Sequence, residues 1–216
     1  MNPATASSLC WRVRDDPRHH HLCFVDPPYN RGKRYGDFAD NLLWDEYDAR
    51  ARALVAEMIR VSQRGVAIFI PAALSLRWWQ WMPEAEQVVI PKGAVGNGAG
   101  GWLQQYFVLL TTARPLDKRF SANLWKGIRL PGEGYYFHEA RPDHPGFTCE
   151  ALVARVIQAL TLAGEIVCDP MIGSGTTAVV SERLGRQWVG IEQNPEYVTL
   201  AEARIAGARA QQRMEM

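Results

Sequence analysis

The sequence predicts an α/β fold: a Rossmann-like, doubly wound sheet that is mostly parallel and closes with an antiparallel hairpin. Three observations predict it. Short apolar runs suited to buried strands, among them Leu22-Cys23-Phe24-Val25, Val66 to Ile70 and Ile166-Val167-Cys168, alternate with stretches of helical period, and parallel strands need such crossovers. One of these runs enters a glycine turn, Gly173-Ser174-Gly175, and then a helical segment, the layout that brings backbone close to a nucleotide at the carboxyl end of a strand. With 216 residues and 47% hydrophobic content, the chain can bury one large core, so 1–216 reads as a single domain.

In chain order, Leu9 to Arg14 is a candidate edge strand and Leu22 to Asp26 a buried one. Asp45 to Gln63 carries Leu54, Val55, Met58 and Ile59 at helical spacing, with Gly65 as its stop. Val66 to Ile70 is a strand, Leu74 to Met82 a helix whose Trp78, Trp79 and Trp81 suit core and interface, and Gln87 to Ile90 with Gln104 to Thr112 the terminal antiparallel pair. Gly93 to Gly101 reads as a loop. Helix, strand, helix, strand and helix fill Glu150 to Ala208.

Asp26-Pro27-Pro28-Tyr29 ends the second strand. Two prolines fix φ and remove two amide donors, so the turn is stiff and its carbonyls are free to accept bonds from a ligand. A nucleobase amino group offers only N–H donors. Asp26 and the Pro27 carbonyl could hold it while Tyr29 stacks on an extruded ring. An ordinary strand-ending turn is the plain alternative.

The second motif is Asp169-Pro170-Met171-Ile172-Gly173-Ser174-Gly175-Thr176-Thr177. Gly173 and Gly175 allow close backbone approach, and the hydroxyls of Ser174, Thr176 and Thr177 can bond a ligand or cap the helix. The next strand, Trp188 to Glu192, ends in an acid suited to both hydroxyls of a ribose. Neither a Gly-Lys-Ser/Thr phosphate loop nor a full Gly-x-Gly-x-x-Gly is present, which favours an adenosine ligand without phosphates.

These residues resemble the amino-group DNA methyltransferases that use S-adenosylmethionine, in the subgroup whose catalytic tetrapeptide precedes the cofactor loop. Asp26 to Asn30 is similar to the family's catalytic motif, and Asp169 to Thr177 to its cofactor loop, with Met171 where Phe is usual. Gly190-Ile191-Glu192-Gln193-Asn194-Pro195-Glu196-Tyr197 is similar to its ribose segment. His144-Pro145 before the helix from Glu150 resembles the segment over the methionine end, which makes Thr148 a cofactor contact, although Gly146-Phe147-Thr148-Cys149 departs from the family's polar residue followed by Lys-Pro. The resemblance implies a circularly permuted motif order, base flipping, and direct transfer to the exocyclic amino group of adenine (N6) in double-stranded DNA. Asp in the first position of the tetrapeptide favours adenine; cytosine-N4 is the alternative. RNA or protein-amide methylation and a catalytically silent DNA-binding subunit stand further off. Asp15 or Asp16 is a candidate contact to the cofactor's adenine.

Net charge is only +1, so contact with DNA must come from local clusters. Arg31, Lys33 and Arg34 follow the tetrapeptide, and Lys118, Arg119, Lys126 and Arg129, interleaved with Phe120 and Trp125, mark a candidate target-recognition insertion at about 114–143. A solvated insertion packed on its own aromatics is the alternative. So short a region suggests a homodimer, and a cognate restriction nuclease is a further candidate partner in a restriction-modification system. Cys10, Cys23, Cys149 and Cys168 have no paired spacing, which favours reduced thiols over disulfides or zinc. None follows a Pro, as the nucleophile of a cytosine-carbon methyltransferase typically does. Arg18-His19-His20-His21 reads as a solvated loop rather than a metal site. No apolar run approaches the roughly 20 residues of a membrane span, and Met1 to Ser8 lacks the features of a signal peptide, so a cytoplasmic enzyme is expected.

Overall fold

The computed structural model describes residues 9–10, 20–35, 38–91, 106–126 and 148–215. A seven-stranded sheet runs in the order β1-β9-β8-β2-β5-β7-β6. Its strands are β1 (Leu9–Cys10), β2 (His20–Val25), β5 (Ser62–Pro71), β6 (Glu86–Pro91), β7 (Tyr106–Thr111), β8 (Ile166–Asp169) and β9 (Gln187–Glu192), while β3 (Arg34–Tyr35) and β4 (Phe38–Ala39) form a separate small ribbon. β9, β8, β2 and β5 are parallel; β1 pairs antiparallel with β9 at one edge, and β7 with β6 forms the antiparallel hairpin at the other. This is the architecture the sequence predicts. Residues 11–19 and the glycine-rich 93–101 lie outside the described residues, as does the candidate adenine contact at Asp15 or Asp16.

Strand alternation divides the core into two layers. Leu22, Phe24, Ala67, Phe69, Leu109 and Val167 pack on α3 (Glu150–Leu160), which contributes Leu152, Val153, Val156 and Ile157. Cys23, Val25, Val66, Ile68, Ile70 and Cys168 face the other way, onto α1 (Trp44–Val61) and Trp78 of α2 (Ser75–Trp79). Each large apolar side chain buried this way contributes about 1.5–3 kcal/mol. A third cluster ties α4 (Thr176–Arg183) and α5 (Pro195–Glu215) to β9 through Ile172, Val179, Trp188, Ala201 and Ile205. Among the described residues no helix is long and apolar enough to cross a membrane.

Several local expectations are corrected. α1 ends at Val61 with Ser62 extended, and Gly65 belongs to β5. Its φ is +131°, and a Cβ there would lie 2.6 Å from Thr112 Oγ1 and 2.8 Å from the Ala113 nitrogen, so the glycine serves the close approach of the chain leaving β7 and not a helix stop. The buried stripe of α1 is Tyr47, Ala51, Val55 and Met58, whereas Ile59 is 47% exposed. The tryptophan helix is shortened to Ser75–Trp79; Trp78 is core, and Trp79 is partly exposed with its indole N–H on the Ala85 carbonyl. His20 and His21 open β2 and are not loop residues: His21 Nδ1 accepts from the Ile166 N–H, and burial lowers the pKa of His20.

Candidate active site

β2 delivers Asp26-Pro27-Pro28-Tyr29 beyond the carboxyl edge of the sheet. Two hydroxyls hold the Asp26 carboxylate: Tyr29 donates to Oδ1, and Thr148, from the segment that leads into α3, donates to Oδ2. The Tyr29 ring packs on the α1 side of the core, with its hydroxyl 3.2 Å from the Phe69 carbonyl. The turn's carbonyls are not all free, contrary to the sequence reading. Tyr47 Oη donates to the Pro28 carbonyl at 3.1 Å, and Trp78 Nε1 donates in turn to Tyr47 at 3.1 Å.

The loop after Tyr29 is closed by Asp40, which is 3% exposed. Its carboxylate accepts the backbone N–H groups of Asn30 (2.7 Å), Arg31 (3.1 Å) and Lys33 (3.1 Å). Asn30 sits at φ 56°, a conformation Asn tolerates, and its side-chain amide exchanges two bonds with the Leu42 backbone. A buried carboxylate with three donors is a rigid centre, so the chain returns from the motif in a fixed loop.

On the neighbouring strand, Asp169 turns inward. It is 4% exposed, accepts the Thr177 hydroxyl at 2.5 Å and the Met171 N–H at 3.0 Å, and so draws the glycine loop and α4 together. Gly173 and Gly175 lie at φ 51° and 82°. A Cβ on Gly175 would stand 2.8 Å from Ala201 Cβ, which lets α5 lie against the loop. Glu192 accepts from the N–H groups of Gly173, Gln193 and Asn194 at 3.0, 2.9 and 2.8 Å. From α5, Arg204 donates to the Ser174 carbonyl and the Thr176 hydroxyl and pairs with Glu150.

Both motifs face one cavity of about 540 Å³. The structure brings together Asp26, Pro27, Pro28, Tyr29, Thr148, Asp169, Pro170, Met171, Ile172, Gly173, Ser174, Thr176, Thr177, Glu192 and Gln193 in its wall, with Lys33 beside them. Gly175 and Asn194 are not in that wall; Asn194 instead accepts the Glu196 N–H at the start of α5. Arg31 and Arg34 are exposed outside it. Lys118, Arg119 and Lys126 are exposed on a segment that runs beside β6, where Leu124 bridges to Val89. Arg119 pairs with Asp117, while Trp125 is core and Phe120 packs against it, with Arg155 of α3 over both rings. Arg129 lies outside the described residues. Tyr197, the last residue of the predicted ribose segment, also lines the wall, whereas sequence reasoning missed Asp40 and Arg204, together with Tyr35, Arg50, Phe69 and Phe107 in the wall.

Two buried carboxyl groups in the wall are hard to ionise. Burial lifts the Asp26 carboxyl to about 6, with the Thr148 and Tyr29 hydroxyls and Lys33 pulling it back. Burial lifts Asp169 to about 7, against the bonds from Thr177 and Met171, and the charges of Asp26 and Glu192 push it the same way. Asp26, Asp169 and Glu192 share the partly apolar wall with the cationic Lys33 and Arg50. Among the described residues no group of three metal-ligating side chains occurs.

Residues 97–203 match the family described as a DNA methylase of the N6/N4 type. The type II methyltransferase M.HpaI of Haemophilus parainfluenzae is 28% identical over 221 residues, covering 85% of this chain and 67% of that relative. The fold is similar to the PvuII cytosine-N4-specific DNA methyltransferase (TM-score 0.67, 17% identity, 87% of this chain and 79% of that one). It is also similar to the M1.HpyAVI–SAM complex (TM-score 0.60, 20% identity, 86% and 88%).

Proposed function

We propose that this chain, a member of the amino-group DNA methyltransferase family, moves a methyl group from S-adenosylmethionine to the exocyclic amino group of a base flipped out of double-stranded DNA, adenine N6 first. The observation that carries the reading is the shared cavity. Asp26, whose carboxylate can accept amino hydrogens, opens onto the same space as the Gly173 loop and Glu192.

The wall fits the cofactor on chemical grounds. Gly173 leaves room for close approach, and Glu192 is a two-oxygen acceptor at the tip of β9. When bound there, S-adenosylmethionine supplies an electrophilic methyl group on a sulfonium. Asp26 accepts the hydrogens of the target amino group, turns its nitrogen lone pair into the cavity and stabilises the positive charge that develops on that nitrogen. With a pKa near 6, Asp26 is ionised at neutral pH and can also receive the departing proton. The Tyr29 ring offers a face for stacking, and the surrounding Phe69, Phe107 and Leu152 keep the chamber partly apolar. Asp40 holds the loop that follows Tyr29 through three backbone amides.

Adenine stands first because Asp occupies the first position of the tetrapeptide, and cytosine-N4 is the second reading. Incubation with methyl-labelled S-adenosylmethionine and a mixture of duplexes, followed by nucleoside mass spectrometry, decides between them. Label in N6-methyladenine is the expected result. Label in N4-methylcytosine would install the second reading, and no labelled nucleoside from any duplex would overturn both.

A further inference from the structure

We propose that Thr148 is a positioning residue for Asp26: its hydroxyl pins Oδ2 so that the carboxylate meets the target amino group in a single orientation. The proposal rests on the function given above and assigns Thr148 to the amino-group acceptor instead of the cofactor.

An aspartate carboxyl rotates broadly about its last bond, and Asp26 stands at a turn where neither proline can donate an amide hydrogen to hold it. Two side chains supply what the backbone lacks. Tyr29 reaches Oδ1 from three residues along the same turn, and Thr148 reaches Oδ2 from 122 residues away in sequence. A carboxylate offers about four lone-pair sites, so one donor on each oxygen fixes the plane and leaves acceptor capacity on both for an incoming N–H.

Thr148 is well placed to act as a fixed point. The next residue, Cys149, is 2% exposed, and its carbonyl accepts the Val153 N–H at the start of α3, the helix whose inner face forms one core layer. Thr148 therefore carries the rigidity of α3 to Asp26, whereas Tyr29 belongs to the same turn as the group it holds.

The contact also bears on protonation, because a donor to the charged form favours it. The charged and titratable groups around Asp26 are Tyr29, Lys33 and Tyr35 from its own loop, Arg50 of α1, Cys149 before α3, Asp169 at the end of β8, and Glu192 and Tyr197 beyond it. Burial raises Asp26, and the Thr148 bond is the largest influence holding it down. Loss of that bond lifts the Asp26 pKa further and starves the enzyme of the ionised acceptor on the acid side.

The test compares Thr148→Val, which keeps the shape without the donor, with Thr148→Ser, which keeps the donor. Single-turnover methyl transfer to duplex is followed from pH 5 to 9. The Asp26 midpoint is read independently by carbon-13 NMR of carboxyl-labelled ligand-free protein, assigned with Asp26→Asn, and affinity for S-adenosylhomocysteine is measured by calorimetry. Thr148→Val should move the acid limb and the NMR midpoint upward by about one pH unit, a tenfold loss of rate on the acid limb that shrinks towards pH 9. Thr148→Ser should restore both, with affinity for S-adenosylhomocysteine within about twofold throughout. An unmoved midpoint in Thr148→Val would overturn the proposal, and so would a loss of affinity in step with rate, which makes Thr148 a cofactor contact. Should Thr148→Val fold poorly, a Thr148→Ser midpoint displaced from wild type would also overturn it. A shifted midpoint in a protein that methylates no duplex would uphold the clamp and sink the functional reading instead.

Discussion

β2 and β8 lie side by side, with Cys23 opposite Cys168, and both lead into Asp-Pro. The two aspartates meet opposite surroundings. Asp169 is enclosed, bonded to Thr177 and to the Met171 amide of its own loop, and it ties β8 to α4. Asp26 stands further out at the cavity, and its partners are hydroxyls from a tyrosine ring and from a remote segment. The same dipeptide on adjacent strands thus makes a brace in one place and, in the proposed function, the acceptor in the other. What separates them is which neighbours donate and how far the chain runs past the sheet edge.

The contrast breaks most sharply at Asp26. Asp26→Ala should remove about 3 kcal/mol or more of transition-state stabilisation, at least a hundredfold in rate, with cofactor affinity retained in calorimetry. Affinity lost together with rate would make the two aspartates equivalent. On the brace side, Gly175→Ala should cost roughly 1–3 kcal/mol of stability and weaken cofactor binding, because the residue stands at φ 82° with Ala201 Cβ only 2.8 Å away. Normal denaturant midpoint and normal affinity would show that the loop yields easily.

Asp169 makes a pH prediction. Its folded pKa is raised to about 7 from an ordinary 3.8, so between these values the native state binds more protons than the unfolded chain and stability falls as pH rises. Asp169→Asn should therefore stabilise the ligand-free protein by ~1–3 kcal/mol above pH 7, and the gain should fade as pH falls to about 4. A Tm difference that does not change with pH would remove charge from the explanation. The smallest effect is expected from Tyr29→Phe. The ring stays and only the donor to Oδ1 goes, a loss of about 1 kcal/mol, seen as a few-fold slower transfer with the acid limb displaced upward. An unchanged pH profile would leave the orientation of Asp26 to Thr148 alone.

Much of this was legible because it is local. A strand that ends in Asp-Pro-Pro-Tyr, a glycine turn between strand and helix, and an acid at the tip of the next strand are patterns within about ten residues. The parts that escaped depend on distance. Asp40 serves three amides of the loop after Tyr29 only because the chain doubles back through the β3–β4 ribbon. Thr148 reaches Asp26 only once β2 and α3 have packed. Trp125, read as a candidate contact to DNA, is drawn into the core by the Leu124–Val89 bridge beside it. Gly65 resembles a helix stop until Thr112, just past the end of β7, is seen pressing on it.

The permuted motif order also has a kinetic side. The ladder between β2 and β5 closes a loop of roughly 40 residues, whereas β2 meets β8 across about 145, and the difference in closure entropy is only about 1 kcal/mol. The delay is the larger matter. At ~5–20 residues per second, β8 leaves the ribosome about 7–30 s after β2, and through that interval the strand that ends in Asp26 has an open apolar edge. An unpaired strand edge is a template for pairing with another copy, and the cavity between the two motifs is among the last features of the molecule to form.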